Sequence, residues 1–302
     1  MWPVIDSTAG NHAGNDLPSG MPRSDEPPQA SPEKPKKASL LVRVASALVL
    51  APPILAAFYY GTPYSEAVVL LAAGLLTWEW SRLCGGGRLG LAGIVAIGGS
   101  MAAVAAGALS LYPVSSWLIA VGAMAVLLAA RREPGKPIWY VYGLLYSALP
   151  CLGLLWLRQD PEQGRALVFW LLFVVWATDI GAYFAGRAIG GPKLAPRFSP
   201  NKTWAGLVGG AVCAAAVGAG MAALRPLGGP EWPPLTAAGA SLLLALVAQT
   251  GDVFESGIKR HFGVKDSSQL IPGHGGLMDR LDGLIAVTLV VALFFGLRKA
   301  LA

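Results

Sequence analysis

Apolar residues are grouped in long blocks, separated by short polar stretches, from Leu40 to the end of the chain. Each block approaches the roughly 20 residues that an α-helix needs to cross the hydrocarbon core of a bilayer. The pattern predicts an all-α fold, a polytopic transmembrane helix bundle of about nine spans. The predicted spans cover residues 40–60, 63–83, 89–110, 114–130, 138–157, 165–186, 203–224, 236–255 and 281–301.

Composition supports a membrane protein. The chain of 302 residues is 54% hydrophobic and only 13% charged, whereas a soluble domain carries about 25% charged residues. The seventh predicted span is rich in small residues, which favour close helix packing in lipid. These are Gly206, Gly209, Gly210, Gly218 and Gly220. Residues 39–302 are therefore interpreted as one integral-membrane domain.

The first 38 residues have a different composition, rich in Pro, Ser, Gly, Asp and Lys and without apolar periodicity. A segment of this kind cannot bury enough surface to fold, so we expect a disordered tail. No continuous apolar core follows a basic start within the first thirty residues, so the tail does not resemble a signal peptide.

Basic residues are distributed unevenly between the two sides that nine spans define. On the side of the N-terminus lie 18 of the 23 Lys and Arg residues, and the positive-inside rule places that side in the cytoplasm. The tail and the polar loops 187–202 and 256–280 should then be cytoplasmic, and their basic surface could hold anionic lipid head groups. No nucleic-acid partner is expected, and the oligomeric state stays open, a homodimer included.

Cysteine and histidine show no pattern typical of a metal site or a disulfide framework. The three cysteines lie far apart in or beside apolar segments, and the three histidines are isolated from one another. They are Cys84, Cys151, Cys213, His12, His261 and His274. Transition-metal chemistry is therefore not expected.

The densest polar segment follows the eighth apolar block. Asp252 ends that block, where a carboxylate is costly unless a cation or a partner neutralises it. Ser256 and Lys259 share the face of Asp252 if the helix continues. Asp279 and Asp282, three residues apart, begin the last span. Magnesium prefers one or two carboxylates with water and substrate phosphates, so the segment predicts phosphate chemistry, although Asp279 and Asp282 could simply complement the helix terminus.

A second polar cluster surrounds the end of the sixth span. Asp179 lies inside that span, and Ser199 and Thr203 could both cap the following helix. The free N–H groups of that helix, together with Lys202, would bind an anion; capping alone is the simpler alternative. The Gly-rich P-loop pattern is absent, so a nucleotide would be held by another arrangement.

The C-terminal segment resembles the phosphatidate cytidylyltransferase family. All positions of that family's signature are filled, by Ser256, Ile258, Lys259, Arg260, Lys265, Asp266, His274, Gly275, Gly276, Leu277, Asp279, Arg280, Leu281 and Asp282. The segment around Ser199 is similar to a second family motif but carries Asn201 and Ala205 where the family has Lys and Glu or Gln. Glu79, in Trp78-Glu79-Trp80, could be a further cavity carboxylate or a structural hydrogen-bond acceptor.

The resemblance implies an enzyme of a bacterial inner membrane that joins CTP and phosphatidic acid into CDP-diacylglycerol and pyrophosphate at the cytoplasmic face. It implies that Mg²⁺, with a second cation possible, is bound by Asp252, Asp279 and Asp282. The implied catalytic residues are Asp252, Ser256, Lys259, Asp279 and Asp282. The implied substrate-binding residues are Asp179, Ser199, Lys202, Thr203, Arg260, Lys265, His274 and Arg280.

Two other functions stay open at this point. In an ion-coupled transporter, Asp179, Asp252 and Asp282 would be relay acids. However, the sequence shows no inverted repeat, and these acids adjoin cationic loops. A CDP-alcohol phosphatidyltransferase would need a longer motif, of which only the opening Asp282-Gly283 is present.

Overall fold

The computed structural model describes residues 40–301 except for residues 134 and 225–230. The predicted disordered tail, residues 1–38, lies outside the described residues. The described part contains nine α-helices and one β-hairpin. The helices are α1 (Leu40–Tyr60), α2 (Tyr64–Cys84), α3 (Leu91–Ala108), α4 (Tyr112–Ala129), α5 (Pro137–Arg158), α6 (Gly164–Ile189), α7 (Trp204–Leu224), α8 (Pro234–His261) and α9 (Met278–Leu301).

Eight of these helices, α2 to α9, are long and apolar enough to cross a membrane. In α1, residues Leu48–Tyr60 form a shorter apolar stretch. Large apolar side chains such as those of Val208, Leu243 and Leu293 are exposed on the helices, which suits contact with lipid. The predicted polytopic helix bundle of about nine spans is confirmed, and the chain is a multi-pass membrane protein.

The hairpin between α6 and α7 is the one departure from an all-α fold among the described residues. Strand β1 (Lys193–Ala195) pairs antiparallel with β2 (Ser199–Thr203). The prediction that Ser199 caps the next helix is wrong, because Ser199 pairs with Ala195 at the far end of the hairpin. Thr203 does cap α7, since its Oγ1 accepts the N–H of Gly206 at 3.0 Å.

Glycines allow α7 to pack closely against its neighbours. A Cβ at Gly206 would lie 2.9 Å from the carbonyl oxygen of Ala182 in α6, and one at Gly210 would lie 2.7 Å from that of Thr178. One at Gly218 would collide with Ser241 of α8. Close packing through the small residues is therefore confirmed, except at Gly220, where the added carbon would meet no described atom within 4 Å.

Long-range hydrogen bonds show which helix ends lie together. The indole of Trp80, near the end of α2, donates to the carbonyl of Trp139 at the start of α5 (2.7 Å). At the opposite end of the bundle, Arg158 donates to the carbonyl of Phe58 (2.9 Å). The two long polar loops of the sequence, 187–202 and 256–280, lie at the Trp80 end, and side chains from both line one cavity there.

Candidate active site

A polar cavity of about 790 Å³ opens between the ends of α6 and α8, the hairpin and the starts of α7 and α9. Nine charged side chains line it, five acidic and four basic. They are Asp179, Asp252, Asp266, Asp279, Asp282, Arg187, Lys202, Lys259 and Arg280. This concentration of charge at one end of an apolar bundle is costly to build, which makes the cavity the candidate active site.

Helix α8 carries acidic and basic groups into the cavity because it continues beyond its apolar block to His261. The sequence placed Ser256 and Lys259 on the face of Asp252 only if the helix continued, and it does. The hydroxyl of Ser256 lies 3.4 Å from Oδ1 of Asp252, to which it donates. Ser256 itself does not line the cavity in the described structure.

An ion pair connects the hairpin to α8. The ammonium group of Lys202 lies 2.6 Å from Oδ2 of Asp252 and donates to Oε1 of Gln249 at 2.8 Å. Lys202 is held at this place because β2 ends at Thr203, the cap of α7. Gln249, which the sequence analysis did not single out, lies nearly one helical turn before Asp252. Both side chains bind the ammonium group of Lys202.

A second cation, Lys259, is held between two carboxylates. Its Nζ lies 2.7 Å from Oε2 of Glu255 and 2.5 Å from Oδ1 of Asp279. The Glu255 side chain is fully buried. Among the described residues no donor makes a well-directed hydrogen bond to its oxygens, so its compensation is the short ion pair with Lys259. Glu255 was missed in the sequence because it lies directly before the signature and its burial and ion pair depend on the tertiary packing.

Asp279 accepts hydrogen bonds on both oxygens. Oδ1 receives the ammonium group of Lys259. Oδ2 receives the backbone N–H of Ser267 (3.0 Å), the hydroxyl of Ser267 (3.0 Å) and the N–H of Gly276 (2.8 Å). Asp279 therefore joins α8, the loop 262–277 and the first turn of α9.

Glu79, near the end of α2, is fully buried and is bonded to the same loop. Its oxygens accept hydrogen bonds from the hydroxyls of Ser267 and Ser268 and from the N–H groups of Leu277 and Met278. Of the two roles that the sequence left open, the structure shows the hydrogen-bonding one. Glu79 is not among the residues that line the cavity in the described part of the chain.

The structure brings together eight of the predicted site residues on the cavity wall: Asp179, Lys202, Thr203, Asp252, Lys259, Asp279, Arg280 and Asp282. Ser199, Arg260, Lys265 and His274 are not part of this wall in the described structure. Arg260 instead donates to the carbonyl of Val264 (3.0 Å). The guanidinium of Arg280 donates to the carbonyl of His274 (2.9 Å from Nη2). This bond ties the loop before α9 to the first turn of that helix.

The residues fit a magnesium ion in part. Within the described residues, no three His, Cys, Asp or Glu side chains converge closely enough to hold a metal ion alone, and Asp279 is already bonded to four donors. Asp252, which is paired with Lys202, and Asp282 both line the cavity. Two carboxylates completed by water and substrate phosphates form a typical magnesium site, so this pair suits an ion that arrives with its substrate.

Comparison with known protein sequences identifies the family of this chain. The sequence model of the cytidylyltransferase family matches residues 41–297. A phosphatidate cytidylyltransferase of Pseudomonas aeruginosa is 37% identical over 277 residues, 83% of this chain and 94% of the relative. One of Brucella suis is 49% identical over 174 residues, 58% of this chain, and one of Staphylococcus aureus is 40% identical over 144 residues, 48% of this chain.

The matched segments cover 63% of the length of the Brucella relative and 54% of that of the Staphylococcus relative. The family model, by contrast, extends from the first helix almost to the end of the last. It includes every residue described above for the cavity. The chain therefore belongs to the cytidylyltransferase family.

Proposed function

We propose that this protein is a phosphatidate cytidylyltransferase, which condenses CTP and phosphatidic acid into CDP-diacylglycerol and pyrophosphate in phospholipid biosynthesis. The main supporting observation is the cavity at one end of the bundle, where Lys202, Lys259 and Arg280 lie among five carboxylates. Anionic substrates fit the cations, and a divalent cation fits the acids. The Pseudomonas relative, similar over 83% of this chain, has this name.

In the proposed reaction, a phosphate oxygen of phosphatidic acid attacks the α-phosphorus of CTP, and pyrophosphate leaves. Both reactants carry their own oxygen nucleophiles, so the protein needs no covalent intermediate, and its work is alignment and charge neutralisation. Lys202 and Arg280, which both line the cavity, would bind phosphate groups. Lys259, held by Glu255 and Asp279, would present a fixed positive charge to the same groups.

Asp252 and Asp282 would hold Mg²⁺ together with the nucleotide phosphates, and Lys202 would then move from Asp252 to a phosphate group. Asp279 would join them only by releasing the ammonium group of Lys259. Bound magnesium would neutralise the charge that develops on the triphosphate. The five acidic and four basic side chains of the cavity carry a formal charge of −1. Without an added cation, a triphosphate would meet net repulsion there.

The surroundings of the cavity suit one lipid and one water-soluble substrate. Tyr183 lines the cavity, and Trp204 directly follows the wall residue Thr203. Both aromatic side chains are more than half exposed, which suits contact with a lipid substrate. The cavity end also carries the excess of basic residues in the sequence, so it would face the cytoplasm. CTP could then reach the site from the cytoplasm and phosphatidic acid from the membrane.

The decisive experiment is incubation of the detergent-purified protein with labelled CTP, phosphatidic acid and Mg²⁺, followed by lipid extraction. We expect labelled CDP-diacylglycerol and an equal amount of pyrophosphate. Omission of phosphatidic acid, or of Mg²⁺ in the presence of a chelator, should stop the reaction. Solute uptake into vesicles without turnover of CTP would favour the transporter and refute the proposal.

A further inference from the structure

A single carboxylate of α2 holds the loop 262–277, which carries six of the fourteen signature residues. Glu79 lies outside that signature, and its side chain is fully buried. Oε1 accepts the hydroxyl of Ser268 at 2.6 Å and the N–H of Leu277 at 2.8 Å. Oε2 accepts the N–H of Met278 at 2.6 Å and the hydroxyl of Ser267 at 3.3 Å. All four donors belong to the loop 262–277 or to the first residue of α9.

Two of these bonds replace a helix cap. The first N–H groups of an α-helix have no partner within the helix. Usually the side chain of the N-cap residue, directly before the helix, accepts a hydrogen bond from one of them. In α9 this acceptor comes from a helix almost 200 positions earlier in the sequence. Because Asp279 follows Met278 directly, fixing the start of α9 fixes the backbone from which the Asp279 side chain extends.

Of the other two bonds, the one from Ser268 holds the loop, and the one from Ser267 also reaches the site. The hydroxyl of Ser267 lies between Oε2 of Glu79 (3.3 Å) and Oδ2 of Asp279 (3.0 Å). Asp279 in turn binds the ammonium group of Lys259. A Cβ at Gly276 would collide with the Ser267 hydroxyl and lie 2.6 Å from Oε1 of Glu79. The loop is therefore packed tightly onto the carboxylate.

We propose that Glu79 is a positioning residue, which sets the loop 262–277 and the start of α9 so that Asp279 and Lys259 face the cavity. Glu79 does not line the cavity in the described structure and is not expected to touch substrate. Its effect on turnover rests on the proposed function. Its effect on the order of the loop does not.

The test compares Glu79→Gln with Glu66→Gln. Glu66 is a matched control, because it lies on α2 at the opposite end of the bundle, is only 9% exposed and accepts the hydroxyls of Thr62 and Ser65. The amide in Glu79→Gln would have the shape of the carboxylate, but its NH₂ group would face hydroxyl and N–H donors instead of accepting from them. We expect Glu79→Gln to lower kcat at least tenfold per folded molecule, with KM for CTP changed less than threefold. In Glu66→Gln, kcat and KM for CTP should both stay within twofold of the wild-type values.

Hydrogen–deuterium exchange separates positioning from general loss of structure. In Glu79→Gln the amides of residues 266–278 should exchange at least fivefold faster, while those of the hairpin 193–203 keep the wild-type rate. Glu66→Gln should leave both segments unchanged. Wild-type kcat and wild-type exchange in Glu79→Gln would overturn the proposal, and so would faster exchange spread evenly over both segments.

If Glu79→Gln cannot be purified in a folded form, Ser268→Ala replaces it as the test of the proposal. This variant removes one of the four donors to Glu79 at a partly exposed residue. Faster exchange confined to residues 266–278 is expected, and an unchanged rate would overturn the proposal. If the wild-type protein makes no CDP-diacylglycerol, the proposed function fails, and the exchange experiments still decide whether Glu79 fixes the loop.

Discussion

The ammonium group of Lys202 lies 2.6 Å from Oδ2 of Asp252, so an ion pair joins the end of the hairpin to the last third of α8. Both residues line the cavity. The pair neutralises a carboxylate at the end of an apolar helix, where an unpaired charge is costly. It also keeps the positive charge of Lys202 directed into the site rather than toward the surface.

Loss of that charge should weaken the reaction. We predict that Lys202→Gln lowers kcat/KM for CTP at least about tenfold, equivalent to roughly 1.4 kcal/mol of transition-state stabilisation. The control is Lys193→Gln, which removes an exposed lysine from the other strand of the same hairpin and should change kcat/KM less than twofold. Equal losses in the two variants would mean that the total charge of the hairpin matters, and not the position of Lys202.

The acids at the start of α9 and in α8 should be essential for turnover. We predict that Asp252→Asn and Asp279→Asn each reduce kcat at least about a thousandfold, roughly 4 kcal/mol, while membrane insertion is unchanged. Asp252 would lose the charge proposed to hold Mg²⁺. Asp279 would direct an amide N–H at Lys259 or at the backbone donors of the loop.

Initial rates with labelled CTP, normalised to protein folded in the membrane, measure this effect. Asp160→Asn is the control, because Asp160 is exposed at the opposite end of the bundle, where it accepts the N–H groups of Glu162 and Gln163. Near-normal turnover in either Asp252→Asn or Asp279→Asn would remove that residue from the site.

The packing of α7 against α6 gives a prediction of stability. A Cβ at Gly210 would lie 2.7 Å from the carbonyl oxygen of Thr178, and forcing extra atoms into a packed interface costs about 1–3 kcal/mol. Alanine is also about 1 kcal/mol better than glycine within a helix, so the net loss in Gly210→Ala should be up to about 2 kcal/mol. Gly220→Ala, where the added carbon meets no described atom within 4 Å, should be neutral or slightly stabilising. Thermal unfolding in detergent compares the two, and identical midpoints would contradict the packing argument.

The orientation of the bundle can be tested with fusions. A reporter that is active only outside the cytoplasm should be silent when it is fused after Arg197 or Val264. It should be active after Gln163 or Gly229. The distribution of 18 of the 23 basic residues on one side predicts this result. If the fusions after Arg197 and Val264 reported opposite sides, the hairpin and the end of α8 could not line one cavity.

Features that depend on nearby residues were predictable from the sequence. The span predicted at 203–224 is α7, Trp204–Leu224, because hydropathy is a property of each segment by itself. The face shared by Asp252, Ser256 and Lys259 followed from helical periodicity alone. The span predicted at 236–255 was too short because α8 runs on to His261, and polar residues that enter a cavity resemble a loop in a hydropathy pattern.

Features that depend on distant residues were not predictable. The hairpin stayed hidden because Pro196, Pro200 and the glycines before it are typical of loops. The pairing of Lys202 with Asp252 joins residues 50 positions apart, and the bonds of Glu79 span almost 200 positions. Hydrogen-bond partners at such separations are set by the packing of the bundle, which leaves no mark in local composition.

The length of α8 fixes the depth of the site. At 28 residues and 1.5 Å per residue the helix is about 42 Å long, whereas the hydrocarbon core is about 30 Å thick. Asp252, 18 residues after the first residue of α8, lies about 27 Å along the helix axis. A helix that begins at one membrane surface therefore brings this carboxylate to the level of the opposite head groups. A phospholipid could meet a dissolved nucleotide there while its acyl chains stay in the bilayer.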